Sequence, residues 1–136
     1  MSNTGISATA TAVVVACDEG TRALLIGLLR LNHIWVDGEA DGVVHGLELV
    51  RNRRPAFLIT DAGLTDGSWE ALVAGARGIL PTVRVVLVGS TSNPPTPASN
   101  PAQRPDVVLL RPFRLSQFAE ALIPGETKRT GIDSGG

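Results

Sequence analysis

A chain of 136 residues is long enough for one domain with a buried core and too short for two. Its net charge of −1 gives no electrostatic footprint for nucleic acid or for an anionic membrane surface, so neither is expected as a partner. The single cysteine, Cys17, excludes an intramolecular disulfide and a cysteine-rich metal site, and the single lysine, Lys128, lies in the C-terminal tail, away from any core chemistry.

Residues 1–11 are Ser/Thr/Ala-rich, with neither a basic start nor an apolar h-region, and read as a disordered tail rather than a signal peptide. No apolar run is long enough to span a membrane, and the expectation is a soluble, cytoplasmic chain with its folded domain over 12–123. Val13-Val14-Val15-Ala16 is wholly apolar, as a strand buried on both faces requires. From Thr21 to Asn32, Leu24, Leu25, Leu28, Leu29 and Leu31 fit one helix face, with Asn32 as the stop. Ile34-Trp35-Val36 reads as a second strand. Asp41–Arg51 reads as a second helix burying Val43, Val44, Leu47 and Val50, weakened by Gly42 and Gly46.

Pro55 opens a third strand, Ala56–Thr60, ending at Asp61, and a Gly-rich loop leads to a helix near Ser68–Arg77. The β-branched run Val83–Val88 is a fourth strand, Val107–Leu110 a fifth, and Leu115–Leu122 a terminal helix. Residues 124–136, rich in Gly, Ser and Thr, read as a disordered tail. The alternation is that of βα units around a parallel sheet. It breaks once: between Ser90 and Asp106 a helix is due, yet Pro94, Pro95, Pro97, Pro101 and Pro105 stand there. Each interior proline costs about 3 kcal/mol in a helix, so an extended, polyproline-like loop is expected instead.

Ligands of an open parallel sheet bind beyond the carboxyl ends of its strands. The polar residues at those ends are Cys17-Asp18-Glu19, Asp61, Gly89-Ser90-Thr91 and Arg111. Carboxylates, a hydroxyl and a guanidinium converging on one crevice suit a hard divalent cation and a phosphoryl group. The plainer alternative is that Asp18 caps a helix and Asp61 merely ends a strand.

Val13–Asp18 with Arg22, Asp41-Gly42 through Arg54-Pro55 to Asp61, and Arg111-Pro112-Phe113 in place of a Lys-Pro-Phe motif follow one another at separations that resemble response-regulator receiver domains. The resemblance covers about residues 12–122. It implies a doubly wound five-stranded parallel sheet of order 2-1-3-4-5, with Asp61 as phospho-acceptor from a histidine kinase or phosphotransfer protein. It also implies Mg²⁺ held by Asp18, Asp61 and the Gly63 carbonyl, Arg111 as phosphoryl partner, and a cis Arg111-Pro112 bond. Two-component or phosphorelay signalling through a downstream protein target follows, without enzymatic turnover of its own.

Several positions depart from that pattern. Cys17 replaces an acidic residue with a soft thiol, a poor partner for Mg²⁺, and Glu19 is the only nearby carboxylate that could compensate. Arg111 replaces a lysine, which changes the shape of the cation. At the switch region Gly89 stands where a Ser or Thr is expected, Ser90 one position later, and Val108 replaces an aromatic residue. These departures support a second reading, a phosphorylation-independent pseudo-receiver that acts as an interaction module.

Cys17 and Arg22 resemble the Cys-x₅-Arg loop of small tyrosine phosphatases, but the arginine is one residue early and two carboxylates beside the sulfur are the wrong setting for a nucleophilic thiolate. A flavin-binding reading of such a fold is disfavoured because the turn Cys17-Asp18-Glu19-Gly20-Thr21 is acidic and would repel a phosphate, and no G-x-G-x-x-G follows the first strand. His33 and His45 have no metal-ligand spacing and read as surface or helix-end residues. Trp35 and Trp69 read as packing residues, and Arg51, Arg53 and Arg54 as a solvated helix end.

Overall fold

The computed structural model describes residues 10–96 and 100–123. Of the expected tails at 1–11 and 124–136, residues 1–9 and all of 124–136 lie outside the described residues. Strands β1 (Thr11–Val15), β2 (Trp35–Ala40), β3 (Phe57–Asp61), β4 (Arg84–Ser90) and β5 (Val107–Arg111) alternate with helices α1 (Glu19–Leu31), α2 (Val43–Arg53), α3 (Trp69–Ile79) and α4 (Leu115–Ala121). All neighbouring strands pair in parallel, in the order β2-β1-β3-β4-β5. β1 starts at Thr11, one residue inside the segment read as tail. No helix among the described residues is long and apolar enough to cross a membrane.

Because side chains alternate across a strand, the apolar runs supply two cores at once. Val13, Val15, Leu58, Val85 and Leu87 face α2 and α3, where Val43, Val50, Leu72, Val73 and Ala76 close over them. Ala12, Val14, Ile59, Val86 and Val88 face the other way, under Leu25, Leu29, Phe118 and Ala121 of α1 and α4.

The helix ends follow from local chemistry. Asp18 caps α1, and Asn32 closes it by donating its side-chain amide to the Leu28 carbonyl at 2.8 Å. Ser68 caps α3 by accepting from the Ala71 amide at 3.1 Å. α2 starts two residues later than expected, with Gly42 as its N-cap and no side chain of its own to satisfy the first amides. Asp66, from the loop after β3, supplies the missing cap and accepts from the Val43 and Val44 amides at 2.8 and 3.3 Å. A Cβ at Gly42 would lie 2.5 Å from that carboxylate, so glycine keeps the space open.

Other expectations need correcting. Leu24, Leu31 and Val44 belong to the helical apolar pattern but are exposed, because each helix covers the sheet with a stripe narrower than the pattern. β2 runs on through Asp37-Gly38-Glu39: an edge strand with a half-exposed face needs only its backbone to pair, and a bulge opposite Ala12/Val13 takes up the extra residue. Trp35 on that edge is 63% exposed, not a packing residue, whereas Trp69 is buried.

The proline-rich connection forms no α-helix among the described residues. A tight turn at Ser90–Asn93 leads out of β4, and a short 3₁₀ turn at Pro101–Gln103, capped by Asn100, precedes β5.

Candidate functional site

β1, β3 and β5 end together at one edge of the sheet and bring Cys17, Asp18, Asp61 and Arg111 into a single cluster. Asp61 ends the central strand and is only 9% exposed. Among the described residues its carboxylate has two protein partners: Oδ1 pairs with Arg111 Nη2 at 3.3 Å, and Oδ2 accepts from the Gly63 amide at 3.2 Å. Arg111 reaches it from the last position of β5, just before a cis Arg111-Pro112 bond. Phe113 then stacks on Phe118 of α4, ring centroids 6.0 Å apart, and fixes the turn after the arginine.

Asp18 does cap α1, as the plainer alternative has it, and it also joins the cluster. Its Oδ2 accepts from the Thr21 amide at 2.7 Å and from the Thr21 hydroxyl at 2.9 Å. Asp18 is exposed, and among the described residues its Oδ1 makes no hydrogen bond. The Thr21 amide, then the Thr21 hydroxyl, with smaller contributions from Arg111 and Arg22, hold the Asp18 carboxyl below the usual carboxylate range. The Thr21 hydroxyl in turn accepts from Arg111 Nη1 at 3.3 Å. Asp18, Thr21, Arg111 and Asp61 therefore form one continuous chain of contacts.

Thr21 is the member of this chain that the sequence gives no reason to single out. The signal that could have found it is its position three residues after a capping aspartate, where a hydroxyl reaches back to the carboxylate.

Cys17 is exposed and donates its thiol to the Gly63 carbonyl at 3.3 Å. Glu19 is exposed in the first turn of α1 and makes no ion pair among the described residues. Arg22 turns away from the cluster, with Nη1 on the Ala16 carbonyl at 2.8 Å and Nε on Glu39 at 3.2 Å. The Cys17/Arg22 phosphatase arrangement is therefore not formed.

The described residues contain no group of three or more His, Cys, Asp or Glu side chains placed to hold a metal ion. A hard cation would depend instead on two carboxylates and a carbonyl. The carboxylates of Asp18 and Asp61 and the Gly63 carbonyl are oxygen donors, the type such ions take.

The switch positions lie elsewhere. Ser90 and Ser92 hydroxyls are 2.8 Å apart, and Ser90 Oγ also accepts the Ser92 amide at 3.2 Å, so Ser90 serves its own turn. Gly89 is buried beneath Pro95: a Cβ there would lie 2.6 Å from Pro95 Cδ. Val108 is 47% exposed and, with Trp69, Leu87, Pro95 and Arg104, lines a cavity of about 370 Å³ beside the proline-rich segment. A wider cleft of about 690 Å³ opens beside Arg111, between Leu24 and Leu28 of α1 and Ser90–Ser92 and Phe113.

No family model matches the sequence, and no curated protein matches it. Solved structures do match. The signal receiver domain of the putative response regulator NarL from Mycobacterium tuberculosis is 22% identical, with a TM-score of 0.68 over 83% of this chain and 92% of that one. A CheY-like response regulator receiver domain from Methylobacillus flagellatus is 20% identical, with a TM-score of 0.70 over 80% of this chain and 92% of its own. A response regulator from Burkholderia pseudomallei, solved with a phosphorylated aspartic acid, calcium ion and citrate, is 17% identical, with a TM-score of 0.73 over 92% of this chain and 73% of its own. At these identities the likeness is one of fold.

Proposed function

We propose that this chain, which has the fold of CheY-like response-regulator receiver domains, accepts a phosphoryl group on Asp61 and passes the signal on through contact with another protein. The observation that carries the reading is the pairing of a buried carboxylate at the end of the central strand with Arg111, in one chain of contacts with Asp18.

In such a transfer an Asp61 oxygen attacks the phosphorus of a phosphohistidine on a kinase or phosphotransfer partner. The P–N bond breaks, and the imidazole leaves with the bonding electron pair and takes up a proton. Arg111 releases part of its contact with Asp61 and offsets the charge on the transferring oxygens, where a guanidinium can bind two oxygens at once. The Gly63 amide holds the carboxylate in place. Asp18, Asp61 and the Gly63 carbonyl would hold Mg²⁺, which supplies charge neutralisation at the transferring group. Cys17 weakens that affinity, both as a soft neighbour and as a donor already on the Gly63 carbonyl.

The test is an amide NMR titration with Mg²⁺ followed by beryllofluoride, with Asp61→Asn as control. Saturable shifts at Asp18, Asp61 and Arg111 that vanish in the variant support the acceptor; a silent spectrum at millimolar Mg²⁺ sinks it. The second reading, a phosphorylation-independent interaction module, is favoured by Pro95 filling the space over Gly89, which leaves no room for a switch hydroxyl. Shifts confined to the site, with nothing moving at residues 89–96 or 104–110, would favour an acceptor with no relay to that surface.

A further inference from the structure

Arg111 makes two separate contacts with two separate arms, and the second arm needs an explanation. Nη2 meets Asp61, while Nη1 meets the hydroxyl of Thr21. Thr21 is 9% exposed, and its hydroxyl is engaged by two protein groups. A hydroxyl has one proton to give. The short contact to Asp18 Oδ2 accepts that proton, since a carboxylate can only accept. The oxygen's lone pairs are then what Thr21 presents to Arg111, and a guanidinium can only donate. The polarity of the whole chain is thereby fixed: Arg111 donates to Thr21, and Thr21 donates to Asp18.

A lysine ammonium is a point charge that one carboxylate can hold, whereas a planar guanidinium held by one arm can still rotate about that contact. A second acceptor on the other arm fixes the plane. Thr21 is well suited to supply it. Its χ1 is stiff because the side chain is β-branched, and its backbone is anchored in the first turn of α1 by the Asp18 cap.

We infer that Thr21 is a positioning residue for Arg111: its hydroxyl fixes the plane of the guanidinium and presents it to the group bound at Asp61. The functional half of this statement rests on the acceptor reading. The structural half concerns the free protein alone and can be tested separately.

The test uses Thr21→Val, which keeps the shape and deletes the hydroxyl, Thr21→Ser, which keeps the hydroxyl, and each in an Arg111→Lys background. Beryllofluoride affinity in the presence of Mg²⁺ should fall about tenfold in Thr21→Val, the scale of one lost charge-assisted hydrogen bond, and recover in Thr21→Ser. In the Arg111→Lys background, Thr21→Val should cost clearly less than in wild type, because of the two contacts it removes only the one to Asp18 remains there. An equal loss in both backgrounds would overturn the inference, since Thr21 would then act only through Asp18 or through the stability of α1.

In the free protein, the side-chain ¹⁵N–¹H signals of Arg111 should show restricted guanidinium rotation that Thr21→Val releases and Thr21→Ser retains. Identical signals in wild type and Thr21→Val overturn the inference whether or not beryllofluoride binds. If the wild type binds no beryllofluoride while these signals respond as expected, the acceptor reading falls and the Thr21–Arg111 contact stands.

Discussion

Replacing Gly89 with alanine tests the fit of the proline-rich segment against the sheet. Gly89 is buried in β4 opposite Leu110, and no unusual φ obliges the position to be glycine. An added Cβ would lie 2.6 Å from Pro95 Cδ, 3.2 Å from Pro95 Cγ and 3.3 Å from Leu110 Cδ2. Carbon atoms prefer about 3.5–4.0 Å, and a proline ring is bonded back to its own main chain, so it cannot swing aside as a long side chain would. The segment is also fastened at both ends. The Thr91 amide and hydroxyl both bond the Arg111 carbonyl, and Arg77 bonds the Arg104 carbonyl and Asp106. Overpacking of this kind costs about 1–3 kcal/mol, while alanine restricts the unfolded chain and returns about 0.4–1 kcal/mol. The expected net loss is about 1–2 kcal/mol, or a fall in Tm of roughly 3–8 °C for a domain of this size. Thermal and urea unfolding followed by far-UV circular dichroism measure it, with Trp69 fluorescence reporting on the same cavity wall. Pro95→Ala removes the two offending atoms, so in that background Gly89→Ala should become neutral or stabilising. A Gly89→Ala protein as stable as wild type, or a loss that Pro95→Ala leaves untouched, refutes the reasoning.

Asp66 is held below the usual carboxylate range by the Val43 and Val44 amides. A lowered folded-state pKa means stability that is present above the unfolded value, near 3.8, and is lost as pH falls through the folded one. Asp66→Asn should therefore be less stable than wild type near pH 7, with the gap narrowing as acid unfolding is followed below about pH 4; a gap that stays constant with pH removes the charge from the explanation. In the core, Phe118 is fully buried and stacked on Phe113, so Phe118→Ala should cost about 3–5 kcal/mol in urea unfolding. A loss below about 1 kcal/mol would mean that α4 is not docked as described.

The buried strands were the most legible part of the sequence. Val13–Ala16, Phe57–Ile59 and Val85–Val88 are apolar on every residue because both sheet faces are covered, and that composition survives without any tertiary knowledge. The ends of those runs also located Asp18, Asp61 and Arg111, since a parallel sheet gathers its strand ends at one edge. What the sequence hid depends on contacts across long separations. The polar half of β2 pairs through backbone alone, so no side-chain pattern marks it. Asp66 caps a helix that begins 23 residues earlier, and neither residue's local context shows the other. Thr21 and Arg111 meet across 90 residues. The expectation that the proline run excludes a helix followed from local chemistry, but the reason Gly89 is glycine depends on where Pro95 returns to the sheet. Leu24 shows the limit of periodicity: it continues an apolar stripe, yet it is 49% exposed at the mouth of the cleft beside Arg111.

Arg77 has a consequence for how the molecule opens. From α3 its guanidinium bonds the Val83 carbonyl ahead of β4, the Arg104 carbonyl and the Asp106 carboxylate, and Asp106 in turn accepts the Val85 amide at 2.8 Å. An edge strand whose incoming connection has no α-helix among the described residues would ordinarily fray by itself. Here, detaching β5 exposes a guanidinium and a carboxylate that were satisfying one another and the main chain of two further elements. β5, the last turn of α3 and the first residues of β4 are therefore expected to open as one cooperative unit, with amides that exchange with solvent together rather than in sequence from the edge inward, which native-state hydrogen exchange would measure.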